Sequence, residues 1–220
     1  MPRSSPGPGA PRAPRARVAP RRTPRQDRSR ATVRRILEAG EQVLAEHGYE
    51  GASTSRIATA AGLSPGSLYQ YFPHKDAIVS AVLERYSDQL VAGITARMTG
   101  QFEQPAPVLV RATLATLLDG LDVEQPFLRA AVEHGPRLDD GRALRVFEDR
   151  IGELVLAYLT TRRDELRPDV PLHEAAWMLV RTVEHLTVRY LLDRPPIPRD
   201  RFLAELTQLA LNYIRTSPPE

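Results

Sequence analysis

The sequence reads as an all-α protein of about nine helices. Three observations lead there. Apolar residues recur at helical spacing from about Arg28 to the C-terminal region, with no convincing strand alternation and no internal repeat. Gly and Pro fall between the periodic stretches, at Pro105/Pro107, Gly135-Pro136, Pro168/Pro171 and Pro195-Pro196-Pro198. Finally, three helices crowd into about 45 residues, and a tight turn containing Gly62 joins the last two, which is the helix-turn-helix pattern.

Residues 1–25 precede the first helix. They hold seven Pro and seven Arg, no acidic residue and almost no large apolar one, a composition that cannot offset the entropy of ordering. The reading is a disordered, partly polyproline-like arm. The 42% apolar residues of the chain are spread along the rest of it. The first helix begins near Arg28, carries Ile36, Gly40, Val43 and Leu44, and stops at Gly48. The second runs Thr54–Ala61 and ends at Gly62. The third opens at Ser64 with Pro65 in the first helical position, where Pro is tolerated, and stops before Pro73. The fourth starts near His74, with Asp76 in its first turn, and continues to about Met98. Amphipathic stretches then predict helices at 106–119, 124–134, 140–163, 171–192 and 199–215.

Charge is more informative divided than summed. The arm carries +7, residues 26–80 carry zero, and residues 81–220 carry −4. A basic tail points to a polyanion such as nucleic acid. There is no Cys, which excludes disulfides, thiol catalysis and a thiolate zinc site. No stretch approaches an apolar membrane span, and no apolar run follows the charged N-terminus, so no membrane partner or signal peptide is expected and the expected location is the cytoplasm. The five His are scattered without H-E-x-x-H, so no metal and no cofactor is expected.

A helix-turn-helix makes specific mechanical demands. Gly62 permits the short turn, Leu63 plugs the core, and the third helix presents its N-terminal end to a major groove. Ser64, Pro65, Gly66 and Ser67 are small and allow close approach to DNA. Tyr69, Gln70 and Tyr71 follow with hydroxyl and amide groups that reach phosphates and base edges. Lys75 opens the fourth helix, where an ammonium and free backbone N–H groups suit a phosphate. Gly62-Leu63-Ser64-Pro65-Gly66 also fits the G-x-S-x-G pattern of serine hydrolases, but that motif needs a strand before it, and a short helix precedes it here.

The run from Arg34 to Val82, with A-x-x-G-L-S-P-G-S-L-Y-Q-Y-F-P-H-K-D at consistent spacing, resembles the DNA-binding domain of the TetR (tetracycline-repressor) family of bacterial regulators. Leu44 departs from it, since the family often has Phe there. The resemblance implies a homodimer with a helix-turn-helix domain at 26–73 and an effector-binding and dimerisation domain at 74–216. It implies a repressor released from a palindromic double-stranded DNA operator by a small-molecule effector, and no enzymatic activity. By position, Thr54 and Ser55 begin the second helix near a phosphate. Ser64, Pro65, Gly66, Ser67 and Gln70 lie along the groove, and Tyr69, Tyr71 and Lys75 contact phosphates. Leu68 and Phe72 read as core.

Beyond the resemblance, the neutral helix-turn-helix segment needs cations from elsewhere. Arg12, Arg15, Arg17, Arg21, Arg22 and Arg25 either supply them, by entering the flanking minor groove, or form a solvated tail. The resemblance is weaker after residue 85. Trp177, Arg181, Glu184, His185 and Val188 share one side of the 171–192 helix. Trp177, Arg181 and His185 either bind an anionic or aromatic effector or form a partly exposed stripe or inter-subunit contact. Phe127, Ala131 and His134 share a face of the 124–134 helix; His134 either joins the effector site or caps carbonyls. Phe202, Leu206, Leu209 and Tyr213 of the last helix need an apolar partner; either packing within the chain supplies it or, as the resemblance implies and favours, a second copy does, with Val183 and Tyr190 of the preceding helix. Two rivals stand against this. A helical enzyme needs a convergent acid, base or nucleophile set, and none is visible. A DNA-architectural protein would bind through charge alone.

Overall fold

The computed structural model describes residues 24–123, 125–138 and 141–215. Among them are nine α-helices, α1 (Pro24–Gly51), α2 (Thr54–Ala60), α3 (Pro65–Tyr69), α4 (Lys75–Thr99), α5 (Ala106–Val123), α6 (Gln125–Leu138), α7 (Arg142–Thr161), α8 (Leu172–Asp193) and α9 (Arg199–Ile214). A 3₁₀ turn at Arg163–Glu165 follows α7, and a single antiparallel bridge pairs Leu166 with Arg215. No described helix is long and apolar enough to cross a membrane.

Helix α1 begins at Pro24, four residues before the expected start. Pro suits a first helical turn, and Asp27 sits there with the favourable sign for the dipole. The arm expected to be disordered otherwise lies outside the described residues, as do Arg12, Arg15, Arg17, Arg21 and Arg22. At Gly48 the chain leaves the helix (φ 64°, ψ −178°) before one further turn to Gly51. Helix α3 is shorter than the expected Ser64–Phe72, because Tyr71 and Phe72 turn their N–H groups back onto the Leu68 carbonyl. Helix α6 runs through Gly135-Pro136, which had read as a breaker. Gly135 is buried and Leu138 packs on the N-terminal core, so tertiary burial holds the last turn despite the proline.

Among the described residues there are two hydrophobic cores, and α4 runs through both. Its first half gives Ile78, Val79, Val82 and Leu83 to a core with Ile36, Leu44, Ile57 and Leu68. Its second half gives Val91, Ile94 and Met98 to the larger C-terminal core of α5 and α7–α9. Gly40 lets α1 lie close on α4: a Cβ there would sit 3.1 Å from Ile78 Cγ2 and 3.2 Å from Val82 Cγ2. The smaller core is not made by the N-terminal helices alone. Phe127 and Ala130 of α6 are buried in it.

Candidate nucleic-acid interface

The three-helix head is set by local capping and one anchor. Ser53 caps α2, its Oγ accepting from the Arg56 N–H at 3.2 Å. The turn after α2 places Gly62 at φ 62°, a conformation that a side chain resists, and Leu63 N–H donates back to the Ala58 carbonyl at 2.9 Å. Ser64 caps α3, accepting from the Ser67 N–H at 3.1 Å and sharing a hydrogen bond with the Ser67 hydroxyl at 2.9 Å. Leu68 is fully buried and fixes α3 on the core. With Leu68 pointing in, Ser64, Pro65, Gly66, Tyr69 and Gln70 are exposed on the outer side of α3, and Ser67 is half-buried among them. Thr54 Oγ1 and Tyr69 Oη lie 3.1 Å apart and tie the start of α2 to the end of α3, with Ser55 exposed beside them. Tyr71 is half-buried against the small core.

Lys75 is differently placed from a free phosphate ligand. Its Nζ donates to the Tyr49 carbonyl at 3.1 Å and lies 4.1 Å from the centre of the Tyr49 ring. Its first tie is therefore to the end of α1. His74 caps α4, its Nδ1 accepting from the Ala77 N–H. The Tyr49 hydroxyl donates to Asp76 Oδ1 at 2.8 Å. Burial and the neighbouring Asp76 carboxylate push the Tyr49 phenol above its usual pKa, with Arg137 opposing. On the Tyr49 ring stacks His134 of α6, 3.9 Å between centroids. Sequence reasoning did not single out Tyr49; its signal is only an aromatic residue just after a helix-ending glycine.

Among the described residues, two cavities of the C-terminal body border α7. One of about 110 Å³ lies between α4, α5, α7, α8 and α9, with Ile94, Leu109, Phe147, Ile151, Leu179 and Val183 among its wall. A second of about 100 Å³ lies on the other side of Leu117, Phe147 and Glu184, which border both. Of the six residues read as effector contacts, only Ala131 lines either cavity, the second. Phe127 is buried in the small core beside Tyr86, ring centroids 5.8 Å apart, and His134 stacks on Tyr49. Trp177 is 61% exposed, His185 is exposed, and Arg181 pairs with the buried Glu148 carboxylate while lying 5.5 Å from the Trp177 ring. The cause is rotational. Helix α8 turns Ala175, Ala176, Leu179, Val180, Thr187, Val188 and Leu191 inward, which leaves Trp177 and His185 outside.

The residues read as a dimer face divide as well. Val183 lines the larger cavity, and Leu206 is buried in the C-terminal core. Tyr190 stacks on Phe202 at 4.0 Å and donates to the Ile197 carbonyl. Tyr213 donates to Met178 Sδ at 3.3 Å. Leu209 is 46% exposed, and with Leu186, Phe202 and Leu206 it lines a shallow groove between α8 and α9. Among the described residues no cluster of three His, Asp or Glu is placed to hold a metal ion.

A three-helix head with an outward-facing short third helix, carried on a helical body, defines a helix-turn-helix DNA-binding regulator. Bacterial regulatory proteins of the tetR family match residues 36–82, and the tetracyclin repressor-like C-terminal domain matches residues 105–214. The chain belongs to the TetR family of transcriptional regulators, a class that is not enzymatic. It is similar to the HTH-type transcriptional repressor DhaR of Mycobacterium sp. (strain GP1), 28% identical over 83% of this chain and 94% of that protein. Its fold is similar to that of the fatty acid degradation regulator FadR from Bacillus halodurans, with TM-score 0.67 and 19% identity over 82% of this chain and 94% of that one. A regulator structure from Mesorhizobium loti is equally similar, with TM-score 0.67 and 22% identity over 86% and 99% of the two chains.

Proposed function

We propose that the protein is a homodimeric repressor that binds a palindromic operator and is released from it by a small molecule held in the C-terminal body. The observation that carries the reading is α3. Its buried Leu68 and capped start hold Ser64, Pro65, Gly66, Ser67 and Gln70 as a compact outer surface of small and polar groups, the shape a major groove admits. Thr54, Ser55, Tyr69 and Tyr71 flank it as backbone contacts, and Lys75 adds charge at its edge. Residues 26–73 act as the DNA-binding unit, and 74–216 as the effector-binding and dimerisation unit. Such a protein works beside the chromosome, in the cytoplasm.

Two half-sites need two recognition helices, so the exposed α8–α9 groove supports pairing across a two-fold axis. Effector release follows as a population shift. A ligand that binds better to a state with wrongly spaced heads lowers operator affinity by the ratio of its two affinities. Helix α4, shared by both cores, and α6, stacked on Tyr49, are the elements that carry such a change.

The test is a footprint on DNA upstream of the protein's own coding sequence, at physiological salt with competitor DNA. The expected result is protection of an inverted repeat, weakened about tenfold or more by Gln70→Ala or Tyr71→Ala. Binding without any discrete footprint, with unaltered affinity in both variants, counts against the reading.

A further inference from the structure

The cations of the head are unevenly placed. Residues 26–80 carry six: Arg28, Arg30, Arg34, Arg35, Arg56 and Lys75. The last two are engaged. Arg56 Nη1 donates to the Gly51 carbonyl at 2.6 Å, and Lys75 Nζ to the Tyr49 carbonyl at 3.1 Å. From Thr54 to His74 there is no Arg or Lys besides Arg56. The other four lie near the start of α1, and all are exposed. None of residues 27–35 is buried, and Ile36 is the first to enter the small core. The helix thus runs about 14 Å ahead of that core, at about 1.5 Å per residue. Helical spacing turns the four arginines to the side away from Ile36 and Val43, with the half-buried Ser29, Thr32 and Val33 beneath them.

The fold gives this cluster little reason to exist. Arg28 sits near the positive end of the helix, where a cation opposes the macrodipole; Asp27 is the one acid beside it. Arg30 and Arg34, four apart, repel each other. Arg34 meets Glu38 at 3.9 Å with both side chains more than half exposed, a pair of little weight. Arg28, Arg30 and Arg35 have no ion pair among the described residues. A polyanion laid on this side would relieve the repulsion. The same stretch lacks the large apolar residues with which a helix enters a lipid surface. Ile36 shares its core with Leu68, the anchor of α3, so the basic turns and the recognition helix belong to one head.

We infer that the outward side of α1 from Arg28 to Arg35 is a second DNA contact, gripping phosphates that flank the bases read by α3. The recognition helix supplies sequence preference and this face supplies charge, so it holds operator and other duplex alike. The inference rests on the DNA-binding reading above and concerns none of the arginines of the preceding arm.

The test uses the full chain and the combined variant R28Q/R30Q/R34Q/R35Q. Binding to the footprinted duplex and to a random-sequence duplex of equal length is followed by fluorescence anisotropy from about 50 to 200 mM salt. Affinity for both is expected to fall about tenfold or more, with the ratio between them kept within about threefold. The slope of log affinity against log salt should shrink by at least about two per protomer, since each lost phosphate contact removes about 0.9. R28K/R30K/R34K/R35K, which keeps the charge, should keep the slope to within about one. Arg97→Gln, exposed in the last turn of α4, should leave it unchanged. The melting temperature of the glutamine variant should equal or exceed that of the parent. An unaltered slope in that variant overturns the inference. So does a loss confined to the footprinted duplex, a lysine variant that behaves like the glutamine one, or a lowered melting temperature, which would assign the arginines to the fold. A parent that leaves no footprint defeats the operator reading, and the random-sequence duplex still decides for or against α1.

Discussion

Glu184 is the residue where the cavity's electrostatics meet the stability of the fold. Its carboxyl is held above the ordinary value of 4.5 by burial, with His185 and Arg181 pulling the other way. A carboxyl with a raised folded-state pKa binds its proton more tightly folded than unfolded. Its contribution to stability is complete below about pH 4.5 and is lost as pH rises through the folded value. Glu184→Gln, which keeps the shape and removes the charge, is therefore expected to be more stable than the parent at pH 7. The difference should vanish as pH falls below about 4.5. Urea unfolding of both proteins across that range measures it, and a variant less stable at pH 7 would show that the carboxylate is favourably paired. None of this was legible in the chain. Trp177, Arg181, Glu184, His185 and Val188 sit on one side of a helical wheel and Leu179, Val183, Leu186 and Tyr190 on the other, with apolar residues on both. Periodicity alone could not choose which side faces in. The folded helix turns Val188 to the core and Glu184 to the cavities while leaving Trp177 outside.

Single elements differ in how much of them is local. The start of α3 is wholly so: Ser64 accepts from the Ser67 N–H, and Pro65 fills the first helical position. Both facts were legible, because a cap is written within four residues. Ser64→Ala is expected to cost about 1 kcal/mol of stability, read by urea denaturation, and to reduce operator affinity in the same sample. Unchanged stability would mean that Ser67 or solvent replaces the cap. The turn at Gly62 and the stop at Gly48 were legible for the same reason, since each depends on a backbone conformation that the residue type announces. Helix α6 was not. Gly135-Pro136 is locally a breaker, and only the packing of Leu138 against a core built about 70 residues or more away in sequence from much of its wall carries the helix past it. The role of His134 was hidden likewise, because its partner is Tyr49 of α1.

At the scale of the molecule, four of the ten large apolar residues exposed among the described residues lie on the last two helices. Trp177, Met178, Leu186 and Leu209 are each more than a third exposed. In the proposed dimer this face is covered. Leu209→Glu, at a position about half exposed in the single chain, is expected to keep the helical content by circular dichroism and shift sedimentation to the monomer. Operator affinity would fall about a hundredfold or more, as linked half-site binding is lost. A variant that remains dimeric would place the interface elsewhere.

The insertion of Phe127 and Ala130 into the smaller core has a consequence for anyone who would re-engineer the protein. The DNA-reading head is not a detachable cassette. A chimera that grafted residues 24–99 onto a foreign sensor would leave a hole where Phe127 sits, and would remove the ring that stacks on Tyr49. Transplanted heads would have to travel with α6, or with a substitute cut to the same shape. Under the proposed function, specificity for an operator and response to a signal would be inherited together.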